Sequence, residues 1–246
     1  MHNIIKIVVL SSAFALAISY SVGQNQRIQC ARITHIFPIL NNEAKLVSYD
    51  TSYIDYYVYN NIRTYKFSYL NYTSENGILK KIDKISHYFV RDMDSIYGRE
   101  FDTAFHLYNA RTNLNSAAYI HAFSNLYLKE SFETLNTKLI SLQQDKDSVV
   151  LHEIYEASEK TDSTYKITWH FLYSNVLNDL PIHLSSFMDS VKKTHLYEFT
   201  IINPYRKLQT KNLTVDAFIN SYKLEKIDCP DEALIFEYIH AYLKGK

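Results

Sequence analysis

The chain has 246 residues, 47% of them hydrophobic, with 26 Lys and Arg set against 26 Asp and Glu, so the formal net charge is zero. Neutrality argues against a nucleic-acid binder that must neutralise many phosphates, and against a polybasic membrane adaptor. Only four glycines and four prolines are present, which excludes collagen-like and low-complexity classes and any site built on a glycine-rich phosphate loop.

At the start, Lys6 supplies a positive charge ahead of the apolar run from Ile7 to Ile18, interrupted only by Ser11 and Ser12. A run of about twelve residues is the length of a secretory apolar core and too short to cross a bilayer comfortably. Ser21 and Gly23 fit the small-residue rule for cleavage before Gln24. The expectation is therefore a signal peptide over 1–23 and an exported chain, 24–246, in the periplasm or outside the cell. No other stretch is long and apolar enough to predict a transmembrane segment. Cys30 follows Arg27-Ile28-Gln29 rather than a small-residue site, so it does not read as a lipid-modified cysteine. In an oxidising compartment Cys30 and Cys229 could pair as a disulfide, or stay as two separate buried thiols.

Cleavage would remove only one of the 22 tyrosines, Tyr20. Tyr, Phe, Val, Ile and Thr gather in short alternating runs, the pattern of strands that are buried on one face. Ala31 to Ile36 alternates weakly. Tyr65 to Tyr72 alternates clearly, with Tyr65, Phe67 and Tyr69 on one side, and the Asn76-Gly77 turn signal follows. Ile78 to Val90 and Ser95 to Phe105 read as strands joined by the polar link Arg91 to Asp94. Val149 to Tyr155 and Tyr165 to Tyr173 read as a hairpin across 158–163. Ile182 to Met188 and Thr194 to Ile202 read as another across Asp189 to Lys193, closed by Pro204, which has no N–H for a ladder.

Two segments change period. Ser131 is a candidate N-cap, and Phe132, Leu135, Leu139 and Leu142 predict a helix to about Gln144. Pro230, Asp231 and Glu232 open a final helix over about 230–243, with Leu234, Ile235, Tyr238, Ile239, Tyr242 and Leu243 along one side. Few Lys or Arg lie on its other side, so the stripe is expected to cover a sheet face rather than a membrane. Nothing divides the chain after the leader, which is read as one β-rich domain.

Three segments carry a family resemblance: Asp94-Ser95-Ile96-Tyr97-Gly98-Arg99-Glu100-Phe101, Leu180-Pro181-Ile182, and Leu196-Tyr197-Glu198-Phe199. Across Tyr53 to Ile227 the chain resembles the half-barrel superfamily of bacterial outer-membrane lipoprotein carriers. The resemblance implies a strongly curved antiparallel sheet with a hydrophobic concave face, often plugged by helices, which in the carriers receives acyl chains. With the two predicted helices, the expected fold is mainly β, a half-barrel with a middle helix and a C-terminal helix. There is no Cys-x-x-Cys, so the thiol chemistry of thioredoxin-linked relatives does not carry over.

The scattered glycines form neither a dinucleotide fingerprint nor a nucleophile elbow. His152-Glu153-Ile154-Tyr155-Glu156 lacks the second histidine of a zinc-protease helix and reads as a strand, so no metal ligands or cofactor are assigned. Asp92 and Asp94 suit a turn better than a calcium loop, which would need a glycine and a distal glutamate. The acid pairs Asp228 with Asp231 and Glu153 with Glu156 leave a cleft hydrolase open without choosing one. Trp169, with Tyr165, Phe171 and Tyr173, could line a ligand surface, although core packing explains these residues more readily. Asn71-Tyr72-Thr73 and Asn212-Leu213-Thr214 match the glycosylation sequon, about as often as chance allows. The leading expectation is an exported, non-enzymatic protein that binds a lipid or a lipidated protein through Tyr65, Phe67, Tyr69, Tyr97, Trp169 and Phe171. The alternative is a cell-envelope structural or protein-interaction module.

Overall fold

The structure, a computed structural model, describes residues 27–75, 78–113, 132–144, 150–158, 165–180, 182–208 and 213–245, with backbone alone for 69–85 and 208. The leader, the Asn76-Gly77 turn, Asn212 and the 159–164 connection lie outside them. Eleven strands form one antiparallel sheet. They are β1 (Gln29–Leu40), β2 (Leu46–Tyr59), β3 (Ile62–Glu75), β4 (Ile78–Asp92), β5 (Tyr97–Phe101), β6 (Leu107–Asn113), β7 (Asn136–Gln144), β8 (Val150–Ser158), β9 (Lys166–Ser174), β10 (His195–Asn203) and β13 (Phe218–Lys226). A separate ribbon of β11 (Arg206–Leu208) and β12 (Leu213–Val215) lies between β10 and β13 in sequence. In space the order is β6-β5-β4-β3-β2-β1-β13-β10-β9-β8-β7, so among the described residues β6 and β7 end the sheet, which does not close into a barrel. The expectation of a mainly β fold built on a large antiparallel sheet short of a closed barrel holds. Bulges interrupt β3 against β4, β5 against β6, β7 against β8 and β9 against β10, and each adds local bend and twist.

Period-two alternation gives the sheet two apolar faces. In β1, Ala31 and Ile33 point to one side and Cys30 to the other. The first side, here the inner face, gathers Tyr56, Tyr65, Phe67, Phe89, Trp169, Phe171, Phe199 and Leu224 into one cluster. The second side carries Tyr57, Ile62, Tyr88, Val90 and Phe101 beneath the C-terminal helix. That helix, α2 (Glu232–Lys244), starts where Asp231 accepts the Leu234 N–H, and it buries Ile235, Tyr238, Ile239 and Tyr242. It covers the sheet as its stripe predicts, while Leu243 stays exposed.

Cys30 and Cys229 are joined in a disulfide with Cα atoms 5.4 Å apart, fixing the entry to α2 beside β1. The hairpin turns use small local devices. Asn41 accepts the N–H groups of Glu43 and Lys45, and Asn60 adopts φ 50° between β2 and β3, a conformation asparagine tolerates.

Several expectations need correction. The middle helix predicted from Ser131 to Gln144 is helical only at 132–134 among the described residues, and 136–144 is the edge strand β7. Its leucines suit either period once a bulge sits between Leu139 and Ser141, and pairing with β8 decides for the strand. The predicted strand Ile182 to Met188 is instead a loop leading into a short helix, α1 (Ser186–Lys192). Leu180, Ile182 and Leu184 are buried alternately as in a strand, but they pack on the inner face without a ladder. The supposed connection Asp189 to Lys193 is most of α1, which Lys193 ends at φ 56°. Ser95 to Phe105 is not one strand, because Asp102 accepts the N–H groups of Ala104 and His106 and turns the chain into β6. Arg91, placed in a polar link, is buried and bonds the Tyr65 hydroxyl and the carbonyls of Asp92, Met93 and Ser95.

Candidate functional site

Of the residues expected to bind a ligand, Tyr65, Phe67, Trp169 and Phe171 all belong to the inner-face cluster. Tyr65 and Phe67 come from β3 and Trp169 and Phe171 from β9, with β2, β1, β13 and β10 lying between. All four are buried, Trp169 to 1% exposure. The Tyr69 side chain lies outside the described residues. Tyr97 stands apart, 39% exposed, with the Arg111 guanidinium 4.2 Å over its ring. The aromatic surface is thus core, as the commoner reading of such residues holds.

Short segments rather than a second sheet cover this face. Phe132 packs 5.2 Å from the Trp169 ring and 5.4 Å from that of Tyr155. Leu180, Ile182, Leu184 and Met188 cover the cluster from the loop and α1. The Trp169 indole N–H is buried without a hydrogen-bond partner among the described residues, an arrangement that costs about 1–3 kcal/mol in a folded protein. Beside Phe132 a cleft of about 560 Å³ opens, lined by Glu133, Leu135, Lys138, Glu156 and Lys166 among others. Its rim is charged, and Lys166 pairs with Glu156 at 2.8 Å.

Under α1 the inner face turns polar. Glu153 of β8, nearly fully buried, accepts from Lys192 Nζ at 2.5 Å and from the Tyr155 hydroxyl at 3.2 Å. Burial alone would lower the Lys192 pKa, but the bond to Glu153 and its charge outweigh that and raise it. The phenols of Tyr155 and Tyr173 are pushed up by burial and then by the Glu153 carboxylate. On the first turn of α1, Asp189 Oδ1 accepts the Leu196 N–H at 2.7 Å, while Oδ2 faces His183 Nδ1 at 2.7 Å and His195 Nδ1 at 3.4 Å. The two imidazoles lie stacked with centroids 4.7 Å apart. Burial lowers the His195 pKa against the opposing Asp189 charge.

Sequence reading missed Lys192, Asp189, His183 and His195 because it made the segment a hairpin. The usable signal was Ser185, whose hydroxyl accepts the Met188 N–H as an N-cap and places Asp189 on the first turn. Glu153 and Glu156 do not pair: they face opposite sides of β8, bonded to Lys192 and Lys166. His152 meets His170 at 3.1 Å on the outer side of the sheet. Asp92 does end β4 at a turn and accepts the Tyr242 hydroxyl.

No family model matches this chain. No curated protein matches it in sequence either, so the reading of its role rests on the geometry above.

Proposed function

We propose that the protein is an exported, non-enzymatic carrier that holds the acyl chain of a lipid or of a lipidated protein against its inner face. One observation carries the reading. A continuous apolar face running from β4 to β8 is covered by residues from 132–135, 180 and 182–192, short segments that belong to no ladder of the main sheet. In this reading the cover closes the empty protein, and Phe132 and α1 shift to admit the chain between Trp169 and Phe171. The charged cleft beside Phe132 would hold a polar head group at the mouth. The Cys30–Cys229 cross-link suits an oxidising compartment, periplasmic or extracellular, and no helix among the described residues is long and apolar enough to cross a membrane.

The test is mass spectrometry of lipid copurifying with the protein extracted from its native source, beside a control protein. Enrichment of acyl-bearing species is expected; none above the control overturns the carrier reading. A cell-envelope interaction module is the second reading, favoured by the edge strands. β7 exposes Leu139, Ile140 and Leu142, and β6 exposes Leu107 and Tyr108, a pattern suited to pairing with another chain.

A further inference from the structure

We propose that His183, Asp189 and His195 bind one divalent cation of the zinc class between the first turn of α1 and the start of β10. The donor atoms offered by the three residues all lie within 4.8 Å of one another. Ligand atoms bound at about 2.0–2.1 Å in a tetrahedral zinc site sit about 3.4 Å apart. The His195 Nδ1 to Asp189 Oδ2 separation is already 3.4 Å, whereas His183 Nδ1 stands 2.7 Å from Oδ2 with its ring nearly parallel to that of His195, so the His183 side chain, 41% exposed, must turn to bring its Nδ1 lone pair onto a shared ion.

Two features distinguish this cluster from an incidental gathering of polar groups. His195 is buried, its side chain 7% exposed, and its Nδ1, 3.4 Å from Asp189 Oδ2, has no hydrogen-bond partner among the described residues and so remains available as a ligand atom. The Asp189 carboxylate is also held from behind. Leu196 N–H bonds Oδ1 and leaves Oδ2 directed between the two rings, the outer-shell support that metal ligands commonly have. Asp189 is 9% exposed and His183 opens to solvent, so an ion has a path in and a fourth position for water. Two imidazole nitrogens and one carboxylate favour zinc-class ions over calcium or magnesium, which prefer oxygen. On binding, both Nδ1 atoms coordinate as neutral imidazole and any proton held at His183 Nδ1 leaves to solvent.

The experiment titrates zinc chloride into the chelator-stripped, disulfide-intact protein at neutral pH by calorimetry and chelator competition. One equivalent is expected, weakened at least tenfold in His183→Gln and in Asp189→Asn and unchanged in His170→Gln. Cobalt(II) in its place should give the intense visible bands of a tetrahedral site, lost in His183→Gln. Near-UV circular dichroism checks folding, and the exposed position of His183 keeps that variant informative if Asp189→Asn misfolds. Absence of saturable binding, or one equivalent bound with unchanged affinity in His183→Gln, overturns the proposal. Because the readout is the metal itself, failure here leaves the acyl-carrier reading standing, and the reverse also holds.

Discussion

At the scale of single residues, Phe132 and Gly98 show how local chemistry sets the larger behaviour. Phe132 is the side chain that meets Tyr155, Trp169, Phe171 and Phe187 at once, and it is only partly buried. Phe132→Ala should lower unfolding free energy by about 2 kcal/mol, below the 3–5 typical of a fully buried phenylalanine. If the inner face accepts acyl chains, the same variant should bind a fluorescent fatty acid faster, read by stopped-flow emission. Gly98 lies where a Cβ would stand 2.5 Å from the Val90 carbonyl oxygen and 2.6 Å from the Phe89 ring. Both neighbours are fully buried and have little room to yield. Gly98→Ala should therefore cost about 2 kcal/mol or more in urea unfolding.

At the scale of elements, α1 is a short helix held over the sheet by both apolar and ionic contacts. Lys192→Met would leave Glu153 charged, buried and without its cation, a loss of about 3 kcal/mol expected from breaking one side of such a pair. Adding Glu153→Gln should restore most of that loss in urea denaturation, and failure of the double variant to recover would show that Lys192 acts through packing instead. This element is also where sequence reading and structure part. Strands with clean alternation, such as β3 and β9, and a helix with an acidic cap and a six-residue stripe, such as α2, were legible because their own residues satisfy one period. Residues 136–144 and 180–192 were not, since their apolar spacings satisfy two periods and the choice depends on partners distant in sequence. β2 lacked a clear opening alternation, although Asn60-Asn61 marks its end. The site was legible only in its aromatic half. The ionic half under α1 became visible once the segment 182–193 was known to turn into a helix.

At the scale of the whole molecule, buried and half-buried histidines tie stability to acidity, His87 and His170 among them. Burial lowers the pKa of His87, and burial followed by the nearby His152 lowers that of His170. Both therefore bind protons more readily in the unfolded chain, whose value is 6.5, so their contribution is full above that pH and is lost as pH falls below it. Unfolding free energy should decline from pH 7.5 to pH 5.5, and His170→Gln should flatten part of the slope in parallel denaturant titrations. The Cys30–Cys229 link spans 199 residues, and a loop of that size is worth about 5 kcal/mol in the chain-entropy description. Reduction should lower the melting temperature markedly in calorimetry while leaving the two-faced sheet recognisable by far-UV circular dichroism.

The seam at the middle of the sheet sets a timetable. β1 pairs β13, Ala31 opposite Lys226, so the earliest strand waits for the last before its second edge is filled. A polypeptide emerging from a ribosome or a translocation pore would present two unfinished halves, one ending at β1 and the other beginning at β7, until its final residues arrived. Such long-range closure is slow and leaves edges open to mispairing, which makes the interval just before completion the moment when this protein most needs a chaperone.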